Sequence, residues 1–351
     1  MLIHISAALL KLVLLTICIH SHGASGTRNN FYIVNSPENH CQREFTADEP
    51  CLTLQQYAYS PSLGSNASVS LTVESGTHLL QGVGVKFDAE SDYDVPSADF
   101  NMTGESVRIV YDGFGTHYYS PIMSVRYARN VSILGMTFVS NNRGFVKIEH
   151  VQNLFLKHCT FQGVRLYISN MMFDNWATIA MSSFFDYFHQ GYSYTNSDRN
   201  YGAISILNSM VYIIQSNFSA NKGAVHYRDN GESDPRPGAV VMYRCIFSNN
   251  TSKYGGSAVH VDGSASLAVQ DTVFLFNTAS GSGGAVYFSG ERDSARLEIV
   301  ASTFIYNYAN FCGAVSVERY SKCIQFVIND STFYCIQPSC EHWWRWWSSL
   351  Y

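Results

Sequence analysis

Charged residues are scarce in this chain. Its 351 residues include 22 Lys and Arg and 27 Asp and Glu, so charged side chains make up 14% of the sequence, against about 25% in an ordinary soluble domain. A coiled coil would be far richer in Lys and Glu, and a disordered chain would lack the 46% of apolar residues found here. Because the net charge of −5 offers no basic surface to a phosphate backbone, we expect no nucleic-acid partner.

Several catalytic and metal-binding signatures are also missing. The sequence has no GxSxG, HExxH or phosphate-loop motif, which excludes the enzyme classes that these motifs define. It has no CxxC motif and no Cys/His spacing typical of zinc sites, so we expect no metal bound through sulfur. The sequence therefore gives no positive indication of an enzyme.

The N-terminal segment has the pattern of a secretory signal peptide. An apolar run from Ile5 to Ile19, interrupted by Lys11, is followed by small residues that end at Gly26. A short membrane anchor is the alternative, but the run is shorter than the roughly 20 residues that a bilayer span needs. We therefore predict that residues 1–26 are a signal peptide, that the protein is extracellular (secreted or associated with the cell surface), and that the mature chain has no transmembrane segment.

The cysteine and asparagine patterns agree with secretion. Of the nine cysteines, all but Cys18 follow the predicted signal peptide, and an even number of cysteines in a secreted chain suggests disulfides. The best candidates are local pairs, Cys41 with Cys51, Cys312 with Cys323 and Cys335 with Cys340. Sequons for N-glycosylation occur at Asn66, Asn101, Asn130, Asn217, Asn249, Asn250 and Asn329.

Self-similarity is the most informative feature of the sequence. The repeat is centred on a Phe that recurs seven times. Apolar residues stand seven and five positions before this Phe, and a mostly small residue stands two positions before it. Asn stands three positions after the Phe in five of the seven repeats. We call these equivalent positions the Phe, small and Asn columns. A segment of the Gly-Ala-Val type follows most of the Asn residues. The Phe column is Phe138, Phe161, Phe218, Phe247, Phe274, Phe304 and Phe333, with last spacings of 29, 27, 30 and 29 residues.

The repeat predicts a coil of parallel strands. Its period-two alternation indicates strands with one buried face. About 29 residues with two clear strands do not fit a propeller blade or a leucine-rich repeat. They fit repeats stacked about 4.8 Å apart, in which a buried Asn from each repeat forms a ladder of hydrogen bonds.

The paired GGA[IV] and FxxN motifs resemble polymorphic outer membrane protein repeats and the wider right-handed parallel β-helix (pectin-lyase-like) class. They are seen at Gly283 to Val286, Phe247 to Asn250, Phe274 to Asn277 and Phe304 to Asn307. We therefore predict an all-β, right-handed parallel β-helix solenoid over residues 66–336. Residues 27–65 would form a disulfide-tied cap with a short amphipathic helix, LTLQQYA, and residues 337–351 a Trp-rich tail.

Two cysteines share the small column. Cys159 and Cys245 are about three repeats apart, which at the strand spacing is about 14 Å. A disulfide needs Cα atoms within about 7 Å. We therefore expect these two cysteines to be small buried core residues rather than a disulfide.

Outward columns beside the Gly-Ala-Val segments carry the candidate site. The resemblance implies that an enzyme of the pectin-lyase-like class would work from an exposed face with clustered Asp, or Asp with Arg or Lys. Stacked repeats would bring the polar residues of these columns into one patch. This patch is either a sugar-binding or acid–base surface or an ordinary polar strand face. Another outward column places Arg244 beside Asp271, as a lyase-like pair or a surface ion pair. The predicted patch is His226, Arg228, His260, Asp262, Tyr287 and Glu318.

Two further segments suggest ligands. In DAESDYD, four carboxylates fall at every second position, so an extended backbone would point them to one side, as Ca²⁺ requires; solvated loop charge is the alternative. The tail contains four tryptophans, which suggest an interfacial membrane or glycan contact unless they are a mispredicted chain end. We expect no other cofactor. The residues concerned are Asp88, Glu90, Asp92 and Asp94, and Trp343, Trp344, Trp346 and Trp347.

The sequence favours a binding protein over an enzyme. We expect a non-enzymatic extracellular surface or adhesion protein whose flat faces bind glycans or other proteins. The alternative is a polysaccharide lyase or glycoside hydrolase of the pectin-lyase-like class. Such an enzyme needs two or three carboxylates within about 5 to 9.5 Å over one face, whereas the outward columns carry mixed, scattered polar residues.

Overall fold

All of the secondary-structure elements in the described part of the chain are strands. The computed structural model describes residues 28–34, 51–54, 68–81, 84–89, 98–112, 121–141, 144–171, 175–187, 202–228, 238–263, 265–290, 295–311, 313–318 and 325–334. Within these ranges it has 32 strands, which confirms the all-β prediction there. None of the described elements is a helix with the length and hydropathy of a membrane span.

The first half of the described chain contains strands β1 to β16. They are β1 (Arg28–Val34), β2 (Cys51–Thr53), β3 (Ser68–Val73), β4 (Gly76–Gln81), β5 (Val85–Asp88), β6 (Asp99–Asp112), β7 (Pro121–Arg126), β8 (Asn130–Ser140), β9 (Phe145–Glu149), β10 (Asn153–Lys157), β11 (Thr160–Gln162), β12 (Arg165–Ser169), β13 (Trp176–Ala180), β14 (Ser183–Phe185), β15 (Ile204–Leu207) and β16 (Met210–Ile214).

The second half contains strands β17 to β32. They are β17 (Asn217–Ser219), β18 (Val225–Arg228), β19 (Ala239–Tyr243), β20 (Ile246–Ser248), β21 (Thr251–Ser252), β22 (Val259–Gly263), β23 (Ser266–Gln270), β24 (Val273–Leu275), β25 (Thr278–Ser282), β26 (Val286–Gly290), β27 (Arg296–Val300), β28 (Thr303–Ile305), β29 (Tyr308–Phe311), β30 (Val315–Val317), β31 (Gln325–Asn329) and β32 (Thr332–Tyr334).

The strands form parallel, stacked sheets. In the described residues, sheet A has 20 strands, sheet B nine and sheet C three. One repeat passes from β19 and β20 in sheet A through β21 in sheet C to β22 in sheet B, and β23 then returns to sheet A. β19 pairs with β16 and β23, and β22 pairs with β18 and β26. Equivalent strands of successive repeats are therefore neighbours.

The Phe column forms a continuous stack of rings in the core. Neighbouring ring centroids lie between 4.5 and 5.2 Å apart along the whole column. The stack includes Phe184, which lies 4.6 Å from Phe161 and 4.9 Å from Phe218. Residues 164–201 are aromatic and irregular in sequence, so their pattern predicts an inserted or distorted repeat, but β12, β13 and β14 make part of this segment a regular repeat.

The Asn column forms the predicted hydrogen-bond ladder. Asn250 is fully buried. Its Nδ2 donates to Oδ1 of Asn277 at 2.9 Å and to the carbonyl of Phe218 at 3.1 Å, and its main-chain N–H also donates to Oδ1 of Asn277. Asn277 repeats this pattern toward Asn307. The ladder pairs buried polar groups without using charge.

The small column is a second ladder, and it contains the two described free cysteines. The N–H of Cys245 donates to Oγ1 of Thr272 at 3.3 Å, and the N–H of Thr272 donates to Oγ of Ser302 at 3.2 Å. Cys159 and Cys245 are buried and unpaired, which confirms that they form no disulfide. Burial raises the pKa of Cys159 to about 11 and that of Cys245 to about 12.

Left-handed backbone conformations make the corners between strands. The first Gly of the Gly-Ala-Val segment adopts φ 58 at Gly256 and φ 66 at Gly283, and a Cβ at Gly283 would lie 2.2 Å from the carbonyl oxygen of Val286. Arg244 and Asp271 also have positive φ. Their side chains are 3.9 Å apart, with Arg244 exposed and Asp271 half-buried, so they form a surface ion pair.

The N-terminal cap differs from the prediction where the structure describes it. Leu52 and Thr53 begin the predicted helix but lie in β2, where Leu52 pairs in parallel with Ile33 of β1, whereas Leu54 has helical backbone. The reason is that β2 continues sheet A and hydrogen-bonds to a neighbouring strand. The remaining helix residues 55–58, the signal peptide and the tail lie outside the described residues. So do the disulfide predictions, which fall on Cys41, Cys312, Cys323, Cys335, Cys340 and the side chain of Cys51.

Candidate functional site

Sheet B brings the predicted polar residues into two adjacent columns. Strands β18, β22 and β26 are in register, so His226 is the neighbour of His260, which in turn is the neighbour of Tyr287. The second column lies two residues further along each strand, and its last member directly follows β30. The columns are His226, His260 and Tyr287, and Arg228, Asp262, Ser289 and Glu318.

The two histidines are buried, although their column was expected to face outward. His226 is 8% exposed and His260 is 7% exposed. Their ring centroids are 5.0 Å apart, and His260 stacks on Tyr287 at 4.6 Å. Nδ1 of His260 lies 2.9 Å from the carbonyl oxygen of Gly255, which covers it, whereas the buried Nε2 of His226 has no hydrogen-bond partner among the described residues.

Burial controls the charge of both imidazoles. It lowers the pKa of His226 well below the usual value, and the nearby His260, Arg165 and Arg228 lower it further. Burial also lowers the pKa of His260, although the Gly255 carbonyl and the carboxylates of Asp262 and Glu318 oppose this. Both rings are therefore neutral near pH 7 and act as packing groups.

The exposed end of the site is a hydrogen-bonded group around Glu318. Ser289 donates its hydroxyl hydrogen bond to the Glu318 carboxylate. Burial raises the pKa of Tyr287, and the charge of Glu318, to which the phenol also donates a hydrogen bond, raises it further. Tyr287 is therefore a protonated donor, and the carboxylate it contacts is already engaged by two protein hydroxyls.

The N-terminal end of sheet B carries a charged network that the sequence pattern missed. Nζ of Lys147 lies 2.7 Å from the Glu149 carboxylate, and Nε of Arg126 lies 3.3 Å from it. Ser169 donates to the same carboxylate at 3.1 Å, and Arg126 also pairs with Asp88 at 3.6 Å. The outward columns continue from His226 back through the earlier repeats, and following them in the sequence would have predicted this network.

The calcium prediction rests on four acidic residues, of which the structure describes one. Asp88 contacts Arg126, as above, whereas Glu90, Asp92 and Asp94 lie outside the described residues. The described residues contain no group of three or more His, Cys, Asp or Glu side chains arranged to hold a metal ion. Calcium binding therefore stays a prediction.

The structure separates the overlapping sequons at Asn249 and Asn250. Asn249 is exposed, whereas Asn250 is fully buried and its Nδ2 makes the two ladder hydrogen bonds. Only Asn249 presents its amide nitrogen for glycosylation. Of the other predicted sites, Asn217 and Asn329 are exposed, Asn101 is half-buried, Asn130 donates its Nδ2 to Asp99, and Asn66 lies outside the described residues.

A surface of exposed aromatic side chains lies on the last repeats, from the end of sheet A along the strands of sheet C. Phe276 and Tyr306 stand two positions after the Phe column, and their ring centroids are 5.5 Å apart. The sequence interpretation missed this surface, although a comparison of the positions that follow each column Phe would have found it. We call it the aromatic face: Phe276, Tyr306, Tyr308, Phe311 and Tyr334, with exposed fractions of 50%, 42%, 44%, 66% and 58%.

No family model and no curated protein matches the chain. Among solved structures the chain is similar to ORF18 of Geobacillus virus E2, with 15% sequence identity and a TM-score of 0.44. The alignment covers 77% of this chain and 56% of that protein, so the chain spans a little over half its length. The resemblance to pectin-lyase-like and polymorphic outer membrane protein repeats rests on the sequence motifs.

Proposed function

We propose that the chain folds as a right-handed parallel β-helix, a solenoid of about 29-residue repeats. Equivalent strands pair in parallel from one repeat to the next, and the later repeats visit sheets A, C and B in the same order. Connections between parallel strands of one sheet are right-handed in about 98% of cases. This rule and the motif resemblance support the handedness.

We further propose that the protein is a secreted, non-enzymatic surface or adhesion protein that binds extracellular glycans or proteins. The aromatic face carries this proposal. Exposed apolar patches of this kind mark interaction sites, and the strands that form the face, residues 273–282, 303–311 and 332–334, contain no charged residue. Depletion of charge and enrichment in Tyr and Phe are typical of the centre of an interface.

A polysaccharide lyase or glycoside hydrolase is the second candidate. Asp262 pairs in register with Ser289, whose hydroxyl donates to Glu318, so two carboxylates flank one strand of sheet B, and paired carboxylates are what glycoside hydrolysis requires. Glu318 is already bonded to Tyr287 and Ser289, and the adjacent histidines are buried. These contacts support a binding role over catalysis.

A glycan array run beside a panel of polysaccharide substrates tests the proposal. We expect the purified full chain to bind, to lose binding in the variant Phe311→Asp, and to leave every polysaccharide intact. Depolymerisation that disappears in Glu318→Gln would establish the enzyme instead. A chain that binds neither glycan nor protein would contradict the proposed function. N-terminal sequencing of secreted protein tests the signal peptide, whose cleavage should fall near Gly26.

A further inference from the structure

The aromatic face holds bulky rings where the backbone disfavours them. Phe276 and Tyr306 have φ 53 and φ 52, in the left-handed region. Asn249 and Ala220 occupy the same corner in the two preceding repeats, with φ 54 and φ 53. Asn tolerates this conformation far better than a bulky aromatic residue does. Residues as different as Ala220 and Asn249 adopt the same conformation, so the backbone of this corner does not require aromatic rings, and their presence in the last repeats is a property of the surface.

The five rings supply a large part of the area that one side of a protein interface requires. A fully covered aromatic side chain buries about 150–250 Å², so five half-exposed rings leave on the order of 500 Å² of ring surface to cover. Each side of a standard interface buries about 800 Å². The uncharged neighbours Leu275, Thr278 and Ile305 extend the face toward that size.

Charge and period both favour a second copy as the partner. The chain has a net charge of −5, so two copies repel each other in most orientations, but an uncharged face brings no like charges together. The rings of Phe276 and Tyr306 follow the spacing of successive repeats. A second copy has the same spacing, so two faces related by a twofold axis stay in register over several rings.

We propose that a second copy of this chain docks on the aromatic face and forms a twofold-symmetric dimer. This inference rests on the binding role proposed above for that face and names its partner. The contact is apolar and uncharged, which is the composition that homodimer interfaces favour.

Analytical ultracentrifugation of the secreted full chain tests the dimer. Asn249 is a predicted glycosylation site and occupies the same corner as Phe276 in the preceding repeat, so a glycan there would lie beside the aromatic face. The chain is therefore measured before and after enzymatic removal of N-glycans. We expect a dissociation constant between about 1 and 100 μM, at the weak end of the affinities that protein interfaces show. We expect the dimer to persist near 1 M salt, where charge contacts are screened within about 3 Å. A wild-type chain that stays monomeric in both forms would overturn the proposal.

Variants that suit the backbone identify the surface. The double variant Phe276→Gly, Tyr306→Gly places at both corners a residue that tolerates the left-handed conformation and creates no new glycosylation sequon, so the fold is kept while the rings are removed. We expect its dissociation constant to rise at least about tenfold. Leu79→Ala is the control, because Leu79 is equally exposed, at 49%, and lies in β4; it should dimerise as wild type does.

A second variant and a ligand assay keep the two proposals apart. Phe311→Asp places one carboxylate from each copy in the interface and should also give monomer, with circular dichroism confirming that each variant is folded. A dimer that persists in both variants would overturn this inference. A monomeric wild type whose glycan binding depends on Phe276 and Tyr306 would overturn the dimer and leave the proposed binding function standing.

Discussion

The asparagine ladder explains how so few charges suffice in so large a core. Asn250 and Asn277 each accept two hydrogen bonds from the Asn of the preceding repeat and donate to the Asn of the next, so the polar groups at this corner are paired without ions. A buried group that loses its partner pays the full cost of desolvation. The column is therefore a place where one side chain affects the stability of three repeats.

Replacing one ladder residue should be costly. Asn277→Leu removes the acceptor of both the main-chain N–H and the Nδ2 of Asn250, and it removes the Nδ2 donor to the carbonyl of Phe247; Oδ1 of Asn307 keeps only the main-chain N–H of residue 277. With about 1–3 kcal/mol for each orphaned group, we expect unfolding free energy to fall by about 3 kcal/mol in urea denaturation. The exposed neighbour Thr278 provides the control, Thr278→Ala. A loss for Asn277→Leu no larger than that of the control would refute the ladder's importance.

The buried histidine pair should make stability depend on pH. The pKa values of His226 and His260 are lowered in the folded chain, chiefly by burial, whereas the unfolded value is about 6.5. Between these values the unfolded chain binds more protons, so stability rises with pH. The contribution of the two histidines to stability is fully present above the unfolded pKa. It decreases as pH falls below about 6.5, by up to about 1.4 kcal/mol per pH unit for each group.

Urea midpoints at pH 7.5 and 5.5 measure this effect. His226→Gln removes one titrating group and should lessen the difference between the two midpoints. Arg165, Arg228, Asp262, Tyr287 and Glu318 surround the pair and remain in the variant. Equal differences in wild type and variant would show that His226 does not titrate on unfolding.

At the scale of strands, the Phe stack predicts where a cavity costs most. Phe274 is fully buried between Phe247 at 5.1 Å and Phe304 at 4.5 Å. Phe333 contacts Phe304 at 4.6 Å but is 46% exposed. Phe274→Ala should therefore cost about 3–5 kcal/mol, and Phe333→Ala about 1 kcal/mol. Thermal and urea unfolding of the two variants provide the comparison, and equal losses would contradict the stacked order of repeats.

The sequence predicts these strands well because alternation and column identity report directly on which side chains face the core. The Asn, Phe and small columns could all be read from residues 130–336. The Phe184 repeat was missed because Tyr187 replaces its Asn and the next Phe follows only after 34 residues. Ala177, Ile179 and Ser182 nevertheless match the column rules, so the signal was present.

The candidate site was harder to predict than the strands. Alternation shows that His226 and His260 face away from the core, but it does not show what lies over them. The loop carbonyl of Gly255 and the ring of Tyr287 cover His260, and such contacts depend on loop paths between strands. The aromatic face was missed for a related reason, since corner residues with positive φ follow no alternation.

At the scale of the whole molecule, a stack of repeats should lose structure from its ends. Each inner repeat pairs with two neighbours, and such stacks gain stability from every neighbouring contact. In the described residues β31 and β32 pair on one side only, with β27 and β28, and Phe326, Val327 and Ile328 are half-buried. Hydrogen exchange should therefore be fastest in β30 to β32 and slowest in β16 to β24.

The matched comparison is between β31 and β27, which are equivalent strands in adjacent repeats. β27 pairs on both sides, and its Leu297 and Ile299 are fully buried. If opening proceeds from the end, amides of β31 should exchange at lower opening free energy than those of β27, and the difference should decrease toward the centre of the stack. Equal protection in every repeat would instead mean that the stack opens only by global unfolding, because the contacts between repeats then exceed the stability of any single one.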